Sequence, residues 1–513
     1  CGPAIVPYAG QGGKRMGNVR YVCLSDLHLG AGYSVLTRMA GDGTTTVREP
    51  SATLEALGKA LGEFVPAVSE RGAKPPTLVL MGDCLDLGLS PTGDVAHAFR
   101  RSIEALFPAG KAQVFSNRVL CLPGNHDHHL WRAAQDQFFI ETLDERIASA
   151  GSVIPDLLRT TPLFEQATAR CGLMTQLMRG YGHLKDARVN VAYPNLGLLD
   201  AAQKRCVILH HGHYIDGVYR AMSALSMGLR GVDGRPTTVS QIVQENGAWV
   251  DFLWSGLGEG GDVGRDAVAL YEIIRSARAS HEFSQQLSDG LLAQLAKGLG
   301  IGPGTDIGHG VTIANVVKGL VDLILLPAAE SDRDGYYSVM SPASVADLRW
   351  YLEGPVRAQI AKARFVNGKE IDDAELRDLE LSFVFGHTHK PFQDQLTLDG
   401  YAKPVSVYNT GGWVMDQPTM APAQGAAAVF IDDDLNVASL RLFNDPLNGA
   451  PSPVRAAGVG GFHDADNPLL PRMTEALTAT AEAWTAFSAA VDASLKLHAD
   501  VLLKKSYTRE ARR

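Results

Sequence analysis

The stretch Gly124-Asn125-His126-Asp127 directly follows the apolar run at residues 119–122, and the interpretation of the fold depends on it. An apolar run that ends in a small loop with an amide, an imidazole and a carboxylate is typical of a strand with functional groups at its carboxyl end. The tetrapeptide alone is weak evidence, because Gly, Asn and Asp also form ordinary polar turns. Other segments of the same form are needed to decide between the two interpretations.

Four other apolar runs end in the same way. They lead into Asp26 and His28, into Asp83 and Asp86, into His210, His211 and His213, and into His387 and His389. Between the early runs, residues 51–64 and 95–107 carry apolar side chains at helical spacing, and Ser51 is a suitable N-cap. Strands that alternate with helices predict an α/β sandwich with parallel strand pairs.

The strand pattern is interrupted by a long segment of mainly helical pattern. We predict an N-terminal extension at residues 1–16, a main domain at 17–445 interrupted by an insertion at 214–380, a linker at 446–472 and a long C-terminal helix at 473–513. The most hydrophobic piece of the insertion, residues 312–326, contains Lys318 and Asp322 and is too short to span a bilayer, so no transmembrane segment is predicted. The insertion or the C-terminal helix could join two copies of the chain.

The net charge and the cysteine content limit which classes of protein this chain could belong to. The 513 residues carry a formal net charge of -9, which gives no strong signal for nucleic-acid binding. The six cysteines show no zinc-ligand spacing, and Cys23, Cys121 and Cys206 lie in or beside apolar runs as small hydrophobic residues would. This usage predicts a reducing, cytoplasmic compartment. We interpret Cys1 as part of an extension ahead of Met16, in preference to a lipidated N-terminus.

The polar groups after the apolar runs suit a metal site. Carboxylate supplies charge and neutral imidazole supplies directional nitrogen ligation, a combination that first-row divalent cations accept. Asp26 and His28 are two residues apart in an extended segment, so both can face one ion, and His387 and His389 have the same spacing. Asp83 has two oxygens that could bridge two ions. Two adjacent metals can clamp an in-line displacement at phosphorus.

The five blocks in this order resemble the calcineurin-like metallophosphoesterase superfamily. They are Asp26-Leu27-His28, Gly82-Asp83-Cys84-Leu85-Asp86, Gly124-Asn125-His126-Asp127, His211-Gly212 and Gly386-His387-Thr388-His389. The resemblance covers residues 17–130, 205–213 and 381–445. It implies a four-layer αββα sandwich with metals at the strand ends, a large mainly helical insertion and a long C-terminal helix.

The resemblance also implies a role for each site residue. Two divalent ions, such as Mn, Fe or Zn, would be held by Asp26, His28, Asp83 and His389 on one side and by Asp83, Asn125, His211 and His387 on the other. A hydroxide between the ions would attack a phosphomonoester or phosphodiester. His126 would contact the phosphate beside Asn125 and protonate the leaving oxygen, with Asp127 orienting the ring.

Some assignments stay open in the sequence. His210 and His213 compete with His211 as ligand; His211 is preferred because it precedes Gly, and His213 could contact substrate. Asp86 is predicted to be a supporting or turn residue, and His128 and His129 an exposed polar run. Asn409 could support the site or only satisfy a turn.

The sequence is compatible with two hypotheses of function, an enzyme and a scaffold. The substrate of a phosphoesterase could be a phosphoprotein, a nucleotide, a cyclic nucleotide, a lipid-sugar pyrophosphate or a DNA end, although the acidic balance argues against a DNA exonuclease. The alternative is a catalytically silent scaffold of the same fold that binds a protein partner. The presence of every ligand position favours the enzyme.

Overall fold

The computed structural model describes residues 17–149, 156–164, 169–202, 204–216, 234–254, 339–363, 371–415, 417–444, 453–461 and 467–510, together with Tyr219, Ser223, Met227 and Gly304. Its strands are β1 (Val19–Leu24), β2 (Thr37–Met39), β3 (Thr45–Pro50), β4 (Thr77–Leu80), β5 (Arg118–Cys121), β6 (Ala169–Arg170), β7 (Arg188–Val191), β8 (Asn195–Asp200), β9 (Arg205–His210), β10 (Glu380–Phe385), β11 (Phe392–Leu396), β12 (Val405–Asn409), β13 (Ala426–Asp432), β14 (Val437–Phe443) and β15 (Arg455–Ala457).

These strands form two large sheets and one small hairpin. The larger sheet has the order β15-β14-β13-β1-β4-β5-β7-β6, the smaller one β11-β12-β10-β9-β8, and β2 pairs only with β3. Strands β1, β4, β5 and β7 are parallel to one another, as are β9, β10 and β12. Each sheet therefore delivers several chain segments to one edge, as the apolar runs predict.

The two sheets pack face to face around an inner core. Tyr21 and Cys23 of β1 belong to the same buried cluster as Leu209 of β9 and Val384 of β10. Alternate residues of a strand point to opposite faces, so the intervening Val22 faces the helices instead. Burial on both faces explains why these strands read as continuous apolar runs.

Helices cover both outer faces. They are Ala52–Val68, Thr92–Leu106, His128–Ser149, Gly172–Arg179, Val239–Trp254, Pro342–Tyr351, Arg357–Lys362, Asp373–Asp378, Leu469–Ala479 and Ala481–Glu510, with 3₁₀ turns at Gly182–Leu184 and His213–Ile215 and a π-helical turn at Leu352–Val356. On one side the ring of Phe64 lies 5.4 Å from that of Phe430 in β13. On the other, Tyr351 lies 6.2 Å from Phe383 in β10. The four-layer αββα prediction is confirmed.

The first helix begins as predicted. Ser51 Oγ accepts a hydrogen bond from the Leu54 backbone N–H at 3.1 Å, which satisfies one of the unpaired donors of the first turn. Leu54, Leu57, Leu61 and Phe64 are all buried on one face. Helical spacing of apolar residues therefore determines which side of this helix meets the sheet.

The C-terminal segment packs on its own chain and is divided into two helices. The helix Leu469–Ala479 is capped at its carboxyl end by Thr480. The helix Ala481–Glu510 buries Trp484, Phe487 and Val491, and the ring of Trp484 lies 5.6 Å from that of Phe64 in the helix Ala52–Val68. This apolar stripe is thus already covered, which removes the reason to expect a second copy of the chain on it. The predicted linker also contains ordered structure, because β15 extends the larger sheet by pairing with β14.

The described elements within residues 214–379 are helices and helical turns. The apolar stretches at 268–274, 291–299 and 312–326 and the extension at 1–16 lie outside the described residues. Within the described part of the chain, no helix combines the length and the apolar character that crossing a bilayer requires.

The cysteines have the predicted packing role. Cys23, Cys84, Cys121, Cys171 and Cys206 are all free thiols and all buried. Burial raises their pKa, that of Cys171 to about 12, so these thiols are protonated at neutral pH.

Candidate metal centre

The predicted site residues lie in loops at the carboxyl ends of the parallel strands. In one sheet Asp26 and His28 follow β1, Asp83 follows β4 and Asn125 follows β5; in the other His211 follows β9, and His387 and His389 follow β10. The loops of the two sheets are joined directly, because the His387 backbone N–H donates to the Asp26 carboxylate at 3.0 Å. The face-to-face packing thus brings residues more than 350 positions apart into one site.

The backbone of the site is strained. Asp26, His28, Asp83, His387 and His389 have φ angles of 52°, 44°, 49°, 71° and 58°, and only three other described non-glycine residues have positive φ. Left-handed backbone costs a non-glycine residue about 1–3 kcal/mol and is concentrated at functional sites. Strain concentrated at five predicted ligands is typical of a functional site.

Two glycines permit the close approach of the loops. A Cβ on Gly124 would collide with the Asp83 carboxylate, and a Cβ on Gly386 would collide with Asp26 and Ser25. Both glycines belong to the blocks that the sequence singled out. Their role is to leave space for carboxylates that come from other loops.

Asp26, His28 and His389 form the first buried group. One ligand atom of each lies within 4.8 Å of the others, and Asp26 Oδ1 is 3.3 Å from His389 Nε2. His28 Nδ1 is 3.2 Å from a carboxylate oxygen of Asp86, whereas its buried Nε2 has no hydrogen-bond partner. A buried imidazole nitrogen without a partner is costly, and a cation at this position would satisfy it.

Asp83, His211 and His387 form the second group, again with ligand atoms within 4.8 Å. His211 Nδ1 is 3.0 Å from the Met81 carbonyl oxygen, which can only accept, so this nitrogen carries the proton. His211 Nε2 then faces Asp83 Oδ2 at 3.3 Å and Asn125 Oδ1 at 3.2 Å. Three potential acceptors converge here, so a proton or a metal cation must lie between them.

Electrostatics favour positive charge at the centre. Burial by itself would lower the pKa of His211, but the Asp83 and Asp26 carboxylates outweigh burial and raise it to about 9. Burial would likewise raise the pKa of Asp83, yet His211, His126 and His28 hold it well below its usual range. A centre that keeps buried carboxylates ionised attracts cations. The donors fit divalent Mn, Fe or Zn, since carboxylate, imidazole and amide oxygen suit all three.

Asp86 orients the imidazoles. One of its oxygens lies 2.9 Å from His126 Nδ1 and 3.2 Å from His28 Nδ1, and it accepts the Tyr33 hydroxyl at 2.9 Å. The other oxygen accepts the Ser90 hydroxyl at 2.8 Å. Asp86 therefore determines which nitrogen of each ring faces the centre. It also forms a third carboxylate–imidazole group with His28 and His126, whose ligand atoms lie within 4.8 Å of one another.

Asp127 does not orient His126, and this prediction was wrong. Its carboxylate accepts the backbone N–H groups of Gly124 at 2.6 Å, Cys84 at 3.0 Å and Leu85 at 3.2 Å. The side chain turns back into the loops and joins two of them. Burial and the neighbouring Asp83 raise its pKa to about 6 against the effect of these donors.

The three histidines after β9 have different surroundings. His210 is stacked between core rings, and neither of its ring nitrogens has a partner. His213 lies behind His211, with its ring 4.0 Å from that of Tyr214, and belongs to none of the carboxylate–imidazole groups of the described residues. Burial lowers the pKa of both well below the usual range, so both are neutral. Of the three, only His211 contacts Asp83 and Asn125. His210 is the last residue of β9, and its side chain points to the opposite face from that of its neighbour His211, whereas His213 begins the 3₁₀ turn that follows.

Two acidic residues of the insertion were missed. Asp216 Oδ2 lies 3.0 Å from His387 Nε2, and Asp251 Oδ1 lies 2.7 Å from His128 Nδ1. His128 is therefore buried and paired, contrary to the predicted exposed run, whereas His129 is exposed. Neither acid stands in a motif, so only the three-dimensional contact identifies it.

Asn409 serves both roles that the sequence left open. Its Oδ1 accepts the Gly411 backbone N–H at 2.8 Å within the turn. Its Nδ2 donates to the Gly386 carbonyl at 2.9 Å and so holds the loop that carries His387 and His389.

The chain is therefore an α/β protein of the αββα sandwich class. It carries a candidate metal centre where carboxylates and imidazoles group at the ends of its strands. The family model described as calcineurin-like phosphoesterase matches residues 19–225, and this match supports the metallophosphoesterase superfamily, whose members are metal-dependent. The matched range carries Asp26 through His213, while the structure adds His387 and His389 from outside it. None of the curated proteins compared with the chain matches it.

Proposed function

We propose that the chain is a phosphoesterase that uses two divalent ions to hydrolyse a phosphomonoester or phosphodiester. The observation that carries the proposal is the pair of adjacent groups, Asp26–His28–His389 and Asp83–His211–His387, of which only His387 is not fully buried. The first group would hold one ion. The second, with the Asn125 amide oxygen, would hold the other. When bound, the ions would lower the pKa of an attacking water and neutralise charge on the phosphoryl oxygens.

Asp83 is the residue that would contact both ions. Its pKa is held down by His211 and also by His28, so its carboxylate lies within electrostatic reach of both groups. Its Oδ1 additionally accepts the His126 backbone N–H at 2.8 Å, which fixes the rotamer. A carboxylate held in this way keeps two cations at a constant separation.

His126 would protonate the leaving oxygen. Its ring lies edge-on to His28 at 4.7 Å, directly beside the first group, and its Nδ1 faces the Asp86 carboxylate. The Nδ1–H would donate to Asp86 and leave Nε2 to carry the transferred proton. An imidazole suits this role because its pKa lies near neutrality.

The insertion would border the substrate. Asp216 and Asp251 connect it to His387 and to His128, which follows the loop of His126 directly. Active-site insertions commonly determine which leaving groups are accepted.

The proposal is tested by hydrolysis of bis(p-nitrophenyl) phosphate and p-nitrophenyl phosphate by the full chain with Mn²⁺. We expect turnover of at least one ester, loss of turnover with a chelator, and recovery when Mn²⁺ is restored. Protein that binds Mn²⁺ but turns over neither of these esters nor an alkyl phosphate would contradict the proposal and favour the partner-binding scaffold.

Asp216→Asn should weaken binding of one ion. The Asp216 carboxylate accepts the His387 Nε2–H, which would leave Nδ1 to bind an ion and would raise the basicity of the ring. Loss of such an outer carboxylate lowers metal affinity by about 10–100-fold. Calorimetric titration of metal-free protein with Mn²⁺ measures the change. Asp251→Asn is the matched control, since Asp251 contacts His128 instead of a proposed ligand. Equal affinities in Asp216→Asn and wild type would remove this role.

A further inference from the structure

A basic pocket lies on the larger sheet, away from the candidate metal centre. It has a volume of about 430 Å³ and is lined by Arg118, Arg170 and Arg188, by Asn117 and Asn190, and by Asp186. Arg118 precedes Asn125 by seven positions along β5 and its loop, so roughly 20 Å of extended chain separates the pocket from the metal centre. The basic pocket is at the amino ends of β5 and β7, and the metal centre is beyond their carboxyl ends.

Strand register brings the three guanidinium groups to one face. Arg118 of β5 is the direct partner of Arg188 of β7. Arg170 of β6 is the direct partner of Asn190, which lies two residues after Arg188 in β7. Paired residues share a face of the sheet, as do residues two apart in a strand. The arrangement is thus a property of the backbone pairing and not of chance rotamers at the surface.

The positive charge of the basic pocket is poorly compensated. Like charges on directly paired strand residues destabilise a sheet. Asp186 is the one carboxylate among the residues that line the basic pocket, against three guanidinium groups. The whole chain carries a net charge of -9, so a concentration of arginine here is opposite to its general charge. A bound anion would relieve the repulsion.

We propose that the basic pocket binds a small molecule that carries a diphosphate group. Three planar guanidinium groups can each donate a pair of hydrogen bonds to phosphate oxygens. The Asn117 and Asn190 amides add neutral donors, and Asp186 can accept from a hydroxyl group of the ligand. The volume suits a ligand of nucleotide size. The diphosphate could be free pyrophosphate or part of a nucleoside diphosphate, and the hydroxyl acceptor favours the latter.

Hydrogen–deuterium exchange on the metal-loaded full chain locates the binding. We expect added ADP to protect residues 116–118, 169–170 and 186–190, with weaker protection by inorganic pyrophosphate at the same concentration. Protection confined to the loops of Asp83, Asn125 and His211 would place the ligand at the metal centre and overturn the proposal. Equal protection by ADP and pyrophosphate would support the diphosphate site but contradict the role of Asp186.

Charge variants test the arginines. In Arg118→Gln/Arg188→Gln we expect the calorimetric affinity for ADP at this site to fall by about tenfold or more, because two bidentate contacts are lost. Arg118→Lys/Arg188→Lys keeps the charge without the planar fork and should recover only part of the affinity. The matched control is Arg71→Gln, an exposed arginine outside the basic pocket. Since these side chains are exposed, the variants should fold, and circular dichroism verifies this.

The test of diphosphate binding does not depend on whether the chain is a phosphoesterase. Hydrolysis of bis(p-nitrophenyl) phosphate without added nucleotide should be unchanged in the arginine variants, since none of these residues contacts the metal centre. Wild-type affinity for ADP in Arg118→Gln/Arg188→Gln and in the separate Arg170→Gln variant would overturn the proposal, whatever the activity.

Discussion

Asp83→Asn should abolish phosphoesterase activity and weaken the binding of both ions together. The carboxylate faces His211 at 3.3 Å in one group and lies within electrostatic reach of His28 in the other. An amide of the same shape keeps the volume and removes the negative charge that two cations would share. We expect activity to fall on the order of a thousandfold or more. Elemental analysis after gel filtration should show reduced content of both ions.

The matched control for this change is Asp136→Asn. Asp136 is an exposed aspartate in the helix His128–Ser149 and belongs to none of the carboxylate–imidazole groups of the described residues. It should keep wild-type activity and metal content. If Asp83→Asn loses only one ion and retains the other at full affinity, Asp83 does not contact both ions and the proposed geometry is wrong.

His126→Gln should slow turnover and leave both ions in place. General acids contribute about 10²–10⁴-fold to the rate. His126 groups with His28 and Asp86 and lies outside the two groups assigned to the ions. The loss should be larger for an alkyl phosphate ester than for a p-nitrophenyl ester, because a poor leaving group depends more on protonation. Steady-state kinetics with both esters, together with metal analysis, measures the two effects separately.

Variants of Asp86 and Asp127 serve as comparisons for the His126→Gln variant. Asp86→Asn should also slow turnover, since the Asp86 carboxylate faces Nδ1 of both His126 and His28. Asp127→Asn should chiefly lower thermal stability, since that carboxylate accepts backbone N–H groups of two loops. Loss of metal from His126→Gln, or an unchanged ratio of rates for the two esters, would show that His126 is not the acid.

Much of the fold could be predicted because its strands are buried on both faces. The runs before Asp26, Asp83, Asn125 and His387 are strongly apolar, so each predicts a strand, and in the structure a strand ends directly before each of these loops. Short strands were missed where burial is partial or the pairing is local, as in β6 and β15. Their two or three residues carry too little periodicity to be distinguished from a loop.

For the C-terminal helix, the sequence could not predict which surface covers the apolar stripe. Its apolar stripe predicted burial but did not identify the surface that would cover it. Phe64 in the first helix meets Trp484, so the cover comes from the same chain. A hydrophobic pattern specifies how much surface is to be buried and on which face, but the partner is selected by long-range packing.

The sequence by itself determined the candidate ligands, because a metal centre at strand ends needs particular side chains at short, regular spacings after apolar runs. Tertiary structure alone decided which acid serves which imidazole. Asp86 takes the place expected of Asp127, and Asp216 joins His387 across 171 positions. The physical reason is the reach of a hydrogen bond. Spacing along a strand fixes the direction of a side chain, whereas its partner is whatever oxygen or nitrogen the folded chain brings within about 3 Å.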